Sequence, residues 1–116
     1  MVGKEDIFTE PEDLIPCGFD GTAEMKKKAV CVVTPSTTEA VAEVMKLVAA
    51  ESIPIVTRGS GTGLSGGSIP VEGGIVLCLV HLDSIIEVDL ANLTILAESG
   101  VITKAVDDAA HPHDLF

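Results

Sequence analysis

The sequence predicts an α+β fold in which a β-α-β unit carries a glycine-rich loop and is followed by a small mixed sheet. Short apolar runs with β-branched residues are typical of buried strands. Between the first two runs, apolar residues recur at helical spacing. The stretch 57–70 holds five glycines among its fourteen residues, and the others are mostly small or hydroxylated. The loop was therefore not selected for core packing.

Composition limits both the class of protein and its partners. A chain of 116 residues forms one domain or part of one, and its 47% apolar content excludes a disordered chain. The formal net charge of −11 argues against a nucleic-acid partner, which would be bound through Lys and Arg. No apolar run reaches the ~18 residues of a membrane span. The N-terminus lacks a basic-then-apolar signal pattern, so the cytoplasm is the expected compartment.

Cysteine and histidine spacing predicts no metal site. Cys17, Cys31 and Cys78 are odd in number and form no C-x-x-C pair, so we expect neither a disulfide framework nor zinc. Cys31 and Cys78 lie within apolar runs and are expected to be buried thiols. The pair His111 and His113 is separated by a proline, which makes a poor chelate.

The first elements are a weakly patterned N-terminal extension, a strand and a helix. Residues 1–28 form the predicted extension, with turns at 13–16 and 19–22 and a solvated run of lysines at 26–28. Residues 29–34 form a strand buried on both faces. A helix over 37–51, about 22 Å long, is predicted to begin with Ser36 as N-cap and Glu39 closing a capping box. Its apolar face comprises Ala40, Val41, Val44, Leu47 and Val48.

The second strand, 54–58, leads directly into the glycine loop. Strand, helix and strand in this order predict a parallel pair with a right-handed crossover. The loop then leaves the carboxyl end of its strand, where ligands bind in open α/β sheets. Three predicted elements remain. They are a third buried strand at 75–80, a hairpin of strands 85–89 and 93–98 with its turn at 89–92, and a last helix at 103–110 that is capped by Thr103.

The glycine loop matches neither of the two common phosphate-binding motifs. No lysine follows a glycine in it, which excludes a Walker A loop. Gly61–Gly66 fits G-x-G-x-x-G formally, but a strand and not a helix follows, so the dinucleotide fingerprint is rejected. A flexible linker is a further alternative, yet Arg58 and Leu64 interrupt the glycines in a way that linkers do not. Because glycines allow close approach and form nests of N–H groups, we expect the loop to wrap a phosphate or pyrophosphate.

Five blocks of sequence carry a family resemblance. In chain order they are V-V-T-P-S-T-T-E-A-V at 32–41, I-P-I-V-T-R-G-S-G-T-G-L-S-G-G-S-I-P at 53–70, G-G-I-V-L at 73–77, I-I-E-V-D at 85–89 and A-E-S-G-V at 97–101. Together they resemble the FAD-binding domain of the vanillyl-alcohol oxidase and para-cresol methylhydroxylase superfamily. Within it, the chain is most similar to the branch that contains the D-type subunit of glycolate oxidase and D-lactate dehydrogenase. Residues 29–116 would be the first half of such a domain.

The resemblance implies FAD as cofactor and a loop that holds its pyrophosphate through main-chain N–H groups. By position, Gly59, Ser60, Gly61, Thr62 and Gly63 would hold the diphosphate. Leu64, Ser65 and Gly66 would continue toward the flavin, and the hydroxyls of Ser60, Thr62 and Ser65 would add donors. Arg58 has two open roles, either pairing with phosphate or bracing the loop.

The same resemblance implies FAD-dependent oxidation of a small 2-hydroxy acid such as glycolate or D-lactate. Members of the family are several times longer, and their further domains supply the catalytic residues. No residue of this chain matches those positions, so the hydroxy acid is an expected partner only if further domains complete the site. The alternative is a truncated or split-gene module that is not catalytic alone and associates with itself or a partner chain. A third hypothesis is a small anion-binding or regulatory domain that uses the loop for another nucleotide.

Overall fold

The structure, a computed structural model, describes residues 2–22 and 26–115 and contains a four-stranded sheet. The strands are β1 (Ile7–Phe8), β2 (Val32–Val33), β3 (Ile55–Arg58) and β4 (Ile75–Cys78), in the order β1-β2-β4-β3. β2 and β3 both run parallel to β4, and β1 pairs antiparallel with the outer edge of β2. The predicted α+β class with a β-α-β unit is confirmed.

The position of β4 corrects the predicted pairing. β2 and β3 are parallel but are not neighbours, because β4 lies between them and pairs with both. All four residues of β4 are buried. A strand that is apolar on both faces is most stable at the centre of a sheet covered on both sides, whereas the order of elements along the chain does not show which strand is central.

Each face of the sheet has its own core. On one face, Val33, Ile75 and Leu77 pack with Val44 and Val48 of the long helix. The other face of the sheet packs against the N-terminal segment. Its core cluster comprises Leu14, Ala29, Val32, Val76 and Cys78. Side chains alternate between the faces of a strand, so one short strand serves both cores.

The long helix α2 (Thr38–Ala50) begins one residue later than predicted. Thr37 is the N-cap, and its hydroxyl accepts a hydrogen bond from the N–H of Ala40 at 3.1 Å. The predicted cap at Ser36 is therefore wrong, because hydroxyl residues occupy 36–38 and only the backbone conformation selects among them. Leu47 was also predicted in the core and is 61% exposed, since the helix turns it away from the sheet.

The N-terminal segment is more regular than its pattern suggests. It contains β1, the short helix α1 (Pro11–Leu14), and 3-10 turns at Lys4–Asp6 and Ile15–Cys17, so the turn predicted at 13–16 is helical. The domain boundary between 28 and 29 stays a prediction. Met1, residues 23–25 and Phe116 fall within the predicted domain ranges and lie outside the described residues.

The C-terminal elements are a hairpin and a helix. β5 (Ile85–Asp89) pairs antiparallel with β6 (Thr94–Ala97), as predicted. The carboxylate of Asp89 accepts from the N–H groups of Ala91 and Asn92 and closes the predicted turn. The helix α3 (Thr103–Ala110) follows, but Thr103 is its first residue and not its cap. The N-cap is Ile102, which offers no side-chain acceptor.

Membrane-spanning helices and metal-ligand clusters can be assessed over the described residues. No helix within 2–22 and 26–115 is long and apolar enough to cross a membrane. Over the same residues, no group of three His, Cys, Asp or Glu side chains converges as metal ligands do.

Cys78 is buried as expected, while Cys31 is only half-buried. Burial raises the pKa of the Cys31 thiol, which favours the protonated, unreactive form.

We predict a large difference between two leucine-to-alanine substitutions. Leu77 is 1% exposed in the central strand, so Leu77→Ala should lower the free energy of unfolding by about 2–5 kcal/mol through lost burial and a residual cavity. Leu47→Ala makes the same chemical change on the exposed side of α2 and should cost about 0.5 kcal/mol or less. Urea unfolding of both variants measures the difference, and equal losses would contradict the assigned core.

Candidate functional site

A polar cleft lies at the carboxyl end of the parallel strands. It has a volume of about 410 Å³ and two walls. One wall is the glycine loop after β3, represented by residues 59–63 and Ser68, and the other is the connection from β6 to α3, residues 99–103. The loop follows the end of β3 and the opposite wall rests on the chain just after β4, so the cleft occupies the position expected for a ligand site in such a sheet.

The loop wall presents unused main-chain donors. The N–H groups from Ser60 to Ser65 make no hydrogen bond to any other residue that the structure describes. Gly61 has φ +76°, a left-handed conformation that glycine adopts without strain. Gly59 and Gly63 also line the cleft, and a Cβ atom on either would meet no other described atom within 4 Å. The loop therefore has both the donors and the open space that an anion-binding nest requires.

The predicted loop residues divide into two groups. Gly59, Ser60, Gly61, Thr62 and Gly63 line the cleft together. The three that follow do not line it: Leu64, Ser65 and Gly66 continue past the cleft, and Leu64 is 77% exposed. This course is consistent with a chain that continues along an extended ligand.

Arg58 lies behind the loop and does not line the cleft. Its side chain is 9% exposed, and its terminal nitrogens donate to the carbonyl oxygens of Phe19 at 2.5 Å and Pro16 at 3.1 Å. A Cβ atom on Gly61 would collide with its guanidinium, so the two groups are in close contact. The charge of Arg58 is thus occupied by main-chain acceptors of the N-terminal segment.

The second wall of the cleft was not assigned a role by the sequence. Gly100 donates its N–H to the carbonyl of Leu82 at 2.8 Å, and its α-carbon packs against the carbonyl of Leu79 so closely that a Cβ atom would collide. This contact fixes Ser99 and the start of α3 opposite the loop. The block A-E-S-G-V was the available signal, but its spacing alone does not show that it faces residues 59–63.

The N-terminus of α3 adds further donors to this wall. The N–H groups of Thr103 and Lys104 make no hydrogen bond within the described ranges, because the cap residue Ile102 has no side-chain acceptor. Free N–H groups and the helix dipole both favour an anion at such a terminus. Both walls of the polar cleft therefore carry main-chain N–H groups that make no hydrogen bond to other described residues.

Asp20 is a buried carboxylate beside the loop. Its Oδ1 accepts a hydrogen bond from the N–H of Thr22 at 2.7 Å, while Oδ2 is buried without a hydrogen-bond partner among the described residues. The N–H of Thr22, followed by its hydroxyl, lowers the pKa of Asp20 below its usual value. Ser68 and Arg58 act in the same direction, and burial opposes them. The carboxylate is therefore charged at neutral pH.

A known domain family matches most of the chain. The model of a family described as FAD binding domain matches residues 29–116. The chain belongs to this FAD-binding domain family. FAD is the cofactor of the family, and the predicted cofactor is confirmed.

Two curated relatives identify the branch. The chain is 37% identical over 114 residues to glycolate oxidase subunit GlcD of Bacillus subtilis. This alignment covers 98% of this chain and 24% of the relative. It is 45% identical over 84 residues to D-lactate dehydrogenase of Archaeoglobus fulgidus, which covers 72% of this chain and 19% of the relative. The chain thus spans about a quarter or less of the length of these two relatives, and it is an FAD-binding domain of their kind.

A solved structure confirms the fold. The structure of p-cresol methylhydroxylase with substrate bound superimposes with a TM-score of 0.81 and 26% identity, covering 98% of this chain and 23% of that one. The resemblance to the para-cresol methylhydroxylase superfamily is therefore confirmed. The roles of the individual loop residues are not tested by this likeness and stay predictions.

Asp20 should make the free energy of unfolding depend on pH in the acidic range. The pKa of Asp20 is lowered in the folded state. Its contribution to stability is therefore present above the unfolded-state pKa of about 3.9 and is lost as pH falls through the folded-state pKa. In Asp20→Asn this titration is absent, and the free energy of unfolding should fall less steeply below about pH 4. Urea unfolding from about pH 2.5 to 7 measures the slope across this window, with Asp83→Asn at an exposed loop position as the control. An unchanged slope in Asp20→Asn would contradict the assignment.

Proposed function

We propose that this chain is the FAD-binding portion of a flavin-dependent 2-hydroxyacid dehydrogenase or oxidase, with glycolate or D-lactate as the substrate class. The names of the two relatives, a glycolate oxidase subunit and a D-lactate dehydrogenase, support this choice. The hydroxy acid is a partner only where further domains complete the site. No residue of this chain is proposed to be catalytic.

One observation carries the proposal, namely the polar cleft with unused main-chain donors on both walls. The residues fit a diphosphate, because Ser60–Ser65 present free N–H groups and Gly59 and Gly63 leave room for close approach. Neutral N–H donors can hold phosphate in a chain of net charge −11 without requiring basic side chains. The start of α3 adds donors from the opposite side.

Each loop residue has a proposed role. Residues 59–63 hold the diphosphate with their main-chain N–H groups, and the hydroxyls of Ser60, Thr62 and Ser65 provide further donors. Leu64, Ser65 and Gly66 continue along the cofactor toward its flavin end. When bound, FAD supplies the hydride acceptor for oxidation of the hydroxy acid, and the protein contributes position and electrostatics.

A glycine-to-alanine pair tests the cleft. Gly63→Ala adds a methyl group where no other described atom lies within 4 Å, so the free protein should keep its stability while the approach of the diphosphate is blocked. We expect the Kd for FAD to rise about tenfold or more. Flavin fluorescence and the shift of Tm on adding FAD both measure binding.

Gly67→Ala is the matched control. A Cβ atom on Gly67 also meets no described atom within 4 Å, but Gly67 does not line the cleft. Its Kd for FAD should match that of the original protein. Equal weakening in both variants, or in neither, would refute the placement of the diphosphate. Gly61→Val is a poorer test, because its side chain would collide with Arg58 and disturb the loop directly.

A second candidate function is a module that is not catalytic alone and associates with itself or a partner chain. Large apolar side chains on the hairpin and the connection to α3 favour it, since Ile86, Leu93, Leu96 and Ile102 are each more than half exposed. Association would remove these apolar side chains from water, which is favourable. The cytoplasmic location expected from the sequence stays a prediction.

Sedimentation tests the association. We expect the chain to form dimers or larger species at high concentration, because association covers this apolar surface. The double variant Ile86→Ser with Leu96→Ser should shift the population toward monomer. The pair Val30→Ser with Leu47→Ser changes exposed residues outside the hairpin and should leave it unchanged. A clean monomer of the original protein at high concentration would count against self-association.

A further inference from the structure

The glycine loop is held from behind by residues 16–22, a segment we name the N-terminal brace. The brace contacts the loop through main-chain groups and one hydroxyl. The N–H of Gly21 donates to the carbonyl of Gly63 at 2.8 Å, and the N–H of Gly66 donates to the hydroxyl of Thr22 at 2.8 Å. These bonds join positions that are far apart in the chain, so they fix the loop to the body of the fold.

Arg58 completes this contact from the loop side. Its guanidinium donates to the carbonyl oxygens of Phe19 and Pro16, which are both in the brace. The side chain is nine-tenths buried and is absent from the residues that line the cleft. Its close neighbour Gly61 has a positive φ, so the guanidinium lies against the residue at which the loop bends.

Gly21 shows how close the two segments are. A Cβ atom there would lie 2.8 Å from the carbonyl oxygen of Gly63 and 3.1 Å from that of Thr62. Main-chain oxygens cannot move away as the end of a flexible side chain can. A side chain at position 21 would therefore push the loop toward the cleft, although Gly21 itself does not line the cleft.

We propose that the N-terminal brace is a positioning element for the anion-binding loop, and that Arg58 anchors the loop to this brace and is not a phosphate ligand. The proposal rests on the proposed function for its consequence in FAD binding, but its structural part concerns the free chain alone. It assigns Gly21, Thr22 and Arg58 the role of holding the N–H groups of residues 60–65 in place. Preorganised donors bind more tightly because less order must be imposed when the ligand arrives.

Amide hydrogen exchange on the free protein tests the structural part. Thr22→Val removes the acceptor of the Gly66 N–H while keeping the side-chain shape, so exchange at Gly66 should become about fivefold faster or more. Thr22→Ser keeps the hydroxyl and should restore the original rate. Gly67→Ala, which introduces no described clash, is the control. An unchanged Gly66 rate in Thr22→Val would overturn the brace.

FAD titration of the same variants tests the consequence. We expect Thr22→Val and Gly21→Ala to raise the Kd for FAD about fivefold or more, and Thr22→Ser to bind as the original protein does. If the original protein fails to bind FAD, the proposed function fails, while the exchange data still decide the brace. Weaker FAD binding in Thr22→Val with unchanged exchange would assign Thr22 to the ligand and overturn its positioning role.

Arg58→Lys separates the two roles of Arg58. Lysine keeps the positive charge but lacks the planar fork that reaches two carbonyl groups. For a brace, Arg58→Lys and Arg58→Met should both loosen residues 60–66 in exchange and weaken FAD binding to a similar extent. For a phosphate ligand, Arg58→Lys would retain much more affinity than Arg58→Met and leave the exchange pattern unchanged, and that result would overturn the assignment.

Discussion

A buried guanidinium joins the segments that shape the cleft. Arg58 ends β3, lies against the bend of the loop at Gly61, and donates to two carbonyl groups of the N-terminal segment. A buried arginine is stable only if its donors are satisfied, since an unpaired charge in the interior is costly. Here the partners are main-chain oxygens, so the position of the loop, the path of residues 16–19 and the end of β3 depend on one another.

Two further contacts around the cleft are made by the main chain of a glycine. Gly21 approaches the carbonyl of Gly63, and Gly100 approaches those of Leu79 and Leu82. Each contact requires the absence of a Cβ atom, and each fixes one wall of the cleft. A site built in this way offers N–H donors in defined positions, which suits a diphosphate.

The acidity of the chain has a physical consequence for this site. Because the chain has a net charge of −11, it repels an anionic ligand overall. For an anion in the cleft, the N–H groups of Ser60–Gly63 and of Thr103, which make no hydrogen bond to other described residues, would offset part of that repulsion as local dipoles. Arg58 does not line the cleft, and its guanidinium donates to main-chain carbonyl groups of the N-terminal segment.

The sequence by itself determined the strands β2 to β4, the long helix, the hairpin and the glycine loop, because these depend on local patterns: apolar runs, helical spacing and the special backbone of glycine. It did not indicate β1 in the N-terminal segment. The motif blocks also identified the FAD-binding family, which the family match confirmed. Local patterns do not show which partners distant segments choose. Only the tertiary structure placed β4 between β2 and β3, selected Thr37 over Ser36 as the cap, and exposed Leu47. It also brought Ser99 and Gly100 opposite the loop and placed residues 19–22 against the loop on the side away from the cleft. Each of these contacts has a main-chain atom as at least one partner, and main-chain atoms leave no signature in side-chain spacing.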